Sequence, residues 1–448
     1  MEIYNEDEVF GVMPKWCDMS EEKSLQLAAA AVGATDEWIL DHAHFFSPIS
    51  DWLDKKDRYL RRKSFAELAI YLYVADKLTP GKVSENFDSM VFQFVNCAEF
   101  SSLIRRHPKQ LLLYGAAVNY VKYKKMLDIN TENSVNTVLK RKAVWAVERV
   151  PHRMLDLWNF LSVYGWKEKS LNSPNILENS CLKHMPDVIE STLHEAYAFT
   201  HNLLFHYNFG VAIPDVACAR LDFDIEDVVV KLILRYSAEK NFDVVFELIY
   251  VAALHKQLPR WLLHYTLCCL AGDGDQISIR GPANPNPDEL NGREPEYIEW
   301  AENYHTTLVA SSMFRYLVKN WQDFDQYATG KNIDLTEEQF EQLYRVGCAY
   351  TALSEYELPL GAYRTSIIRR NASKFINKYL TECLEFIKFQ KNTDGTFGYW
   401  PDEEILYYRD GGSKEDFNQE IIKPVSVLCE QAIGGSCGHP LNENYKSQ

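Results

Sequence analysis

The chain has no run of about twenty apolar residues, the length a helix needs to cross a bilayer, which excludes an ordinary helical membrane span. It has no excess of positive charge either. A net charge of −16 leaves no electrostatic footprint for DNA or RNA, so nucleic acid is excluded as a partner. Short basic runs, Arg61–Arg62–Lys63 and Lys122 to Lys125, read as solvated helix faces. The ten cysteines include no Cys-x-x-Cys pair and no zinc-finger spacing, so they read as reduced core residues. Cys268–Cys269, within WLLHYTLCCLA, fit that role as small buried hydrophobes. Also missing are Walker A, HExxH and DDxxD motifs, and any GxSxG elbow or GxGxxG that follows a strand. The N-terminus, MEIYNEDEVF, is acidic where a secretory leader is basic and then apolar, so the expectation is a cytoplasmic protein.

What the chain does have is helical periodicity. Hydrophobic content is 46% with 13% aromatics, ample for a packed core. Twelve helical segments can be read, among them Phe65–Leu78, Lys109–Met126, Glu132–Arg149, Asp187–Tyr207, Phe242–Lys256, Glu296–Asn320 and Ala372–Phe389. Thr131 or Glu132 is expected to open one of them and Asp224 to cap another. Strand alternation is confined to Gln276–Ile279. Segments such as VVVKLIL and VFELIYVAAL are apolar on nearly every side, while Asn133–Arg149 is two-faced. Buried helices alternating with half-exposed ones predict an inner ring jacketed by an outer one. The expected fold is therefore all-α, an α/α toroid of about six inner and six outer helices forming one domain over 1–448. An open solenoid is the alternative, although no fixed repeat period is visible. A Gly-, Pro- and Asn-rich segment at 272–295 is expected to be a long functional loop at the mouth of a cavity, and 433–448 a flexible tail.

The strongest functional lead is DVIESTLHEAYAFTHNLLFHYNFG, which carries His194, His201 and His206 on one helix. At the helical period His194 and His201 lie roughly 20° apart, with Glu190 and Tyr197 on the same stripe. His206 points away from that stripe. His194 and His201 are nevertheless about 10 Å apart along the axis, too far to bind one ion side by side. A metal site needs one of them plus His305 and a further ligand, for which His206, His255, His264 or a carboxylate remain open. His305 shares its helix face with Ala301, Ser312 and Tyr316, small or polar groups that leave room for a ligand. His42 and His44 read as structural, and a neutral imidazole bonded within the core is the alternative for each of the others.

Two resemblances add to this reading. YLTECLEFIKFQKNTDGTFGYW resembles the repeat of α/α-toroid terpenoid cyclases and protein prenyltransferases, with Gln390, Asp394, Gly395, Phe397 and Gly398 in its positions. It implies the fold. Their chemistry does not carry over, because the acids at Asp222, Asp224 and Asp227 are in the wrong order and sit where a helix N-terminus wants negative charge. Secondly, WILDHAHFF, FAELAIYLYV, EAYAFTHNLLFHYNFG and YHTTLVA resemble an uncharacterised bacterial all-helical family associated with natural-product and modified-peptide genes. Glu195, Tyr197, Thr200, His201, Phe209 and Gly210 match its pattern, with Asn208 where Asp is typical.

The expectation is an enzyme with a histidine-lined central cavity that acts on a small apolar molecule or peptide in natural-product biosynthesis. His201 and His305, with His194 as a supporting group, would form a transition-metal site (Fe, Cu or Zn), with Glu195 and Tyr197 as catalytic polar partners. Two alternatives stay open. One is a non-catalytic scaffold for a precursor peptide or carrier, and the other is a metal-free cyclase or lyase using histidine as acid–base.

Overall fold

A computed structural model describes residues 9–18, 20–48, 55–168, 171–213, 221–270, 279, 290, 292–322 and 335–434. Among these residues the regular structure is helical, apart from one isolated bridge between Lys391 and Phe397. The longer helices in the first half are α1 (Glu21–Asp41), α2 (Lys55–Leu78), α3 (Lys82–Asn96), α4 (Ala98–Arg106), α5 (Gly115–Tyr123), α6 (Ile129–Leu139) and α7 (Pro151–Tyr164). There follow α8 (Leu193–His206), α9 (Glu226–Ala238), α10 (Phe242–Leu254), α11 (Arg260–Leu270) and α12 (Pro295–Lys319). The chain continues with α13 (Glu337–Ser354), α14 (Leu358–Arg370), α15 (Asn377–Phe389), α16 (Pro401–Arg409) and α17 (Lys423–Gly434).

Local chemistry sets several of these boundaries. Pro151 opens α7, where its missing N–H costs nothing, and Gly165 closes it at φ +86°. Thr192 and Glu195 form a capping box at the start of α8. Asn241 caps α10, in which every residue from Asp243 to Leu254 is buried.

Six helices contact one another in a closed order: α2 touches α5, then α7, α8, α10 and α12 follow in turn, and α12 touches α2. Their partners rise in step. His152 meets His201 and Asn159 meets Phe205. Tyr197 meets Asp243 and Tyr250 meets Phe209. His305 meets Glu67 and Ser311 meets Tyr71. Phe65 meets Tyr114 and Tyr73 meets Tyr123. Neighbours whose contacts climb together run parallel, so the six N-terminal ends point the same way.

These helices line one cavity of about 1230 Å³. Lining residues near the N-terminal ends, such as Lys63, Leu113, Arg153 and His194, are exposed. Those near the C-terminal ends, such as Tyr73, Asn119, Phe160, Asn208 and Tyr250, are buried. The cavity therefore opens at the N-terminal end and has a closed floor. Gly210, at φ +77°, helps to make that floor, since a Cβ there would stand 2.4 Å from the Tyr316 ring.

The remaining helices pack outside this circuit. α1 lies on α12 and α3, and α9 joins α10 to α13, which leads to α14, α15 and α17. At the α9–α13 crossing a Cβ on Gly347 would fall 2.1 Å from the Leu234 carbonyl oxygen. Backbone cannot swing aside as a side chain can, so Gly347→Ala is expected to cost about 1–3 kcal/mol, read from the denaturant midpoint.

Several expected boundaries shift. The Asp187–Tyr207 helix begins only at Leu193, which removes Glu190 from its histidine stripe. Lys109–Met126 breaks between Leu113 and Gly115, where the Gly115 backbone packs close on the Phe160 ring. Glu132–Arg149 is α6 plus a turn at Lys142–Trp145, and Asp128 rather than Thr131 or Glu132 caps α6. Ile225 stands at the N-cap of α9, although the Asp224 carboxylate still accepts the Glu226 N–H at 3.2 Å. His42 and His44 lie beyond the end of α1, His42 at its C-cap with Nδ1 2.8 Å from Trp38 O. Ile433 and Gly434 belong to α17, and the rest of the expected tail lies outside the described residues, as do 276–278 and most of 272–295. Around Gln390 the turn is tight: Gly398 N–H donates to Gln390 O, Asp394 accepts from the Thr396 N–H, and Phe397 is buried.

Candidate metal centre

Two carboxylates dominate the middle of the cavity, and both come from α10. Asp243 and Glu247 are four residues apart, so they project from one face of a helix that is otherwise apolar and buried. A buried charge is expensive unless something answers it. Here the answer comes from both sides.

Tyr197, on α8, donates its hydroxyl to Asp243 Oδ2 at 2.6 Å, and Thr306 on α12 donates to Oδ1 at 3.1 Å. Thr200 donates to Glu247 Oε2, and His201 Nε2 lies 3.3 Å from Oε1. An ionised carboxylate can only accept, so the His201 proton sits on Nε2. Burial raises the Tyr197 hydroxyl pKa, and the charges on Asp243 and Glu247 raise it further, so it stays protonated as a donor.

His305 completes the group. Its Nδ1 lies 3.2 Å from Glu67 Oε2 on α2, and its Nε2 lies 3.6 Å from both Asp243 Oδ2 and Glu247 Oε1. Burial alone would lower the His305 pKa, but the negative charges of Asp243 and Glu67, then Glu247 and the hydrogen bond to Glu67, hold it well above the ordinary range. Burial likewise pushes the Glu67 carboxyl up, and His305 and Lys63 overcome it to bring it down to about 2. Glu247 is lowered too: burial opposes the shift, and the neighbouring His201 and His305 outweigh it. Asp243, Glu247 and His305 each present one donor atom, and the three atoms lie within 4.8 Å of one another.

A second polar group faces His201 from α7. The His152 ring centroid is 6.0 Å from that of His201, and burial, then the nearby His201 and Arg153, push its imidazolium down to about 4. One turn further on, burial raises the Asp156 carboxyl to about 6 against Arg153, His201 and Arg149.

The structure brings His201, His305 and Tyr197 of the sequence-predicted residues into this group. His194 lines the exposed mouth of the cavity instead. Glu195 is exposed and bound to Thr192, whose N–H donates to its Oε2 at 2.7 Å. The three open histidines are engaged elsewhere. His206 is buried against Ser173, His255 bridges Tyr207 and the Phe223 carbonyl, and His264 Nε2 lies 2.7 Å from Cys17 O. Asn208 is buried between Asn159 and the Val211 carbonyl. Asp243, Glu247 and Glu67 were missing from the sequence reading, although two acids four apart on an apolar helix signal a buried charge in need of a partner.

Residues 32–314 match the family model described as Domain of unknown function (DUF6895), a span that includes every residue of the Glu67–His201–Asp243–Glu247–His305 group. No curated protein and no solved structure matches the chain.

Proposed function

We propose that this chain, which belongs to the DUF6895 family, is a metal-dependent enzyme centred on Asp243, Glu247 and His305. One observation carries the reading. His305 Nε2 stands 3.6 Å from an oxygen of each carboxylate, too long for a hydrogen bond to either. It suits a shared ion, because ligands at about 2.1 Å in a tetrahedral site are about 3.4 Å apart.

The surrounding groups support it. The Glu67 carboxylate accepts a hydrogen bond from the His305 Nδ1–H and so aims Nε2 at the carboxylates, an arrangement common to metal-ligating histidines. Tyr197, Thr306 and Thr200 hold the two carboxylates in place. His201 serves as a positioning residue through Glu247. Two carboxylates and one imidazole are a hard donor set, favouring iron, manganese or zinc over copper. With three protein ligands, the ion keeps open positions and would supply Lewis acidity and an activated water or dioxygen.

The closed order of six parallel helices supports reading the architecture as the inner ring of an α/α toroid, with α1, α3 and α9 among its outer helices. The cavity walls near the floor, including Phe160, Leu204, Phe205 and Leu308, suit a small apolar molecule or an apolar peptide segment.

Elemental analysis of protein purified from metal-supplemented cells is expected to find about one equivalent of a first-row divalent metal. Less than about a tenth of an equivalent would remove the metal and leave histidine acid–base chemistry in its place.

A further inference from the structure

This strongly acidic chain places Arg62, Lys63, Arg149 and Arg153 on the lining of one cavity, from two helices and the turn that precedes one of them. All four lie at its open, N-terminal end. Lys63 and Arg153 are answered by Glu67 and Asp156, each at 3.7 Å. Arg62 and Arg149 make no ion pair among the described residues, although the Asp156 carboxylate is near enough to feel the Arg149 charge. Arg149 is held by its own guanidinium bonds to the Val144 and Val147 carbonyls, so it is fixed before any ligand arrives. The parallel helices add the positive ends of their dipoles at the same rim.

Below the rim the lining changes character. Ile70, Phe160, Val163, Leu204, Phe205 and Leu308 make largely apolar walls above a floor to which Asn119, Asn208 and Tyr250 also contribute. From Lys63 to Tyr73 the depth is ten residues of α2, about 15 Å. Cations at the mouth, polar groups midway and apolar walls below would match a ligand with one charged end.

We infer that the cavity binds an amphiphilic anion, its carboxylate or phosphate held at Arg62 and Arg149 and its apolar body reaching past His305 toward the floor. This names a substrate class for the site proposed above and rests on that cavity being the working one. It does not depend on the metal. An anionic head group at two guanidiniums, one of them already fixed, gains charge-assisted hydrogen bonds that a neutral head group lacks.

Calorimetric titration of chelator-treated protein with dodecanoate, dodecyl phosphate and dodecanol tests it, since no ion is then present to bind the head group. One anion per chain is expected, at least about tenfold tighter than dodecanol. The margin should shrink as salt rises, and Arg62→Gln with Arg149→Gln should abolish it while dodecanol affinity stays the same. The stronger of the two anions identifies the head group. Equal affinity for dodecanol and both anions in the wild-type protein overturns the inference. Metal content, measured separately, keeps the two readings apart. Absent metal with an intact anion preference defeats only the metal centre, and normal metal without the preference defeats only this inference.

Discussion

Glu247→Gln is expected to lose bound metal, from about one equivalent to less than about a tenth, without unfolding the protein. Glu247 is the one carboxylate that both His201 and His305 approach, through the same Oε1 atom at 3.3 and 3.6 Å. The amide has the same size and can still bond Thr200, but it supplies no negative ligand. His201 and His305 favour the ionised Glu247 in the fold despite its burial, so the metal-free variant should itself melt lower than the metal-free wild type, and the effect of metal is read against each protein's own metal-free midpoint. The difference appears on adding metal. At a concentration of about 100 times its dissociation constant, a ligand that binds only the folded state stabilises it by about 2.7 kcal/mol. Wild type should show that gain and Glu247→Gln should not. His201→Gln, which disturbs only the group that orients Glu247, should weaken metal about 10–100-fold rather than abolish binding. Full metal loading by Glu247→Gln, with the same thermal shift, would sink the proposed centre.

The two halves of this site were unequally legible in the sequence. His201 and His305 could be found because each stands on a helix with a strong period, and imidazoles invite a search for ligands. The carboxylates were hidden by their surroundings. FDVVFELIYVAAL reads as a core helix, and it is one, so its acids pass as incidental until burial shows that neither can be left unanswered. Glu195 shows the opposite error. Thr192-x-x-Glu195 is a capping signature visible in the sequence, and it accounts for that glutamate without any chemistry. His206, His255 and His264 could not be sorted beforehand, because their partners lie 33, 32 and 247 residues away in the chain. Periodicity likewise found α8, α10 and α12 but overlooked α1, whose Ala28–Ala31 run and Gly33 blur its apolar face. The all-helical class was legible throughout, since it depends on many segments together, whereas each boundary depends on one cap or one close approach.

Asp36→Ala is expected to destabilise the protein by about 3–5 kcal/mol, the usual cost of leaving a buried charge without its partner. Arg315, on α12, has a side chain only 6% exposed, and both Asp36 oxygens accept from its Nη2. Its other bonds go to neutral oxygens, the Tyr71 hydroxyl at 3.4 Å and that of Thr79. Asp36 also accepts from Tyr71 at 2.8 Å and Ser311 at 3.4 Å, so one carboxylate from α1 ties α2 to α12. That tie bears on the proposed metal centre. Tyr71 is one turn beyond Glu67 on α2, and Ser311 lies six residues beyond His305 on α12, so the same contact sets the register in which Glu67 meets His305. Asp36→Ala should therefore weaken metal binding as well as lower the denaturant midpoint. Pairing it with Arg315→Met removes the orphaned charge and should recover most of the stability, but not the register, because the tie stays absent. Recovery of stability without recovery of metal affinity would separate the cost of a buried charge from the cost of a misplaced imidazole. A single variant within about 1 kcal/mol of wild type would show that the ion pair does not hold these three helices together.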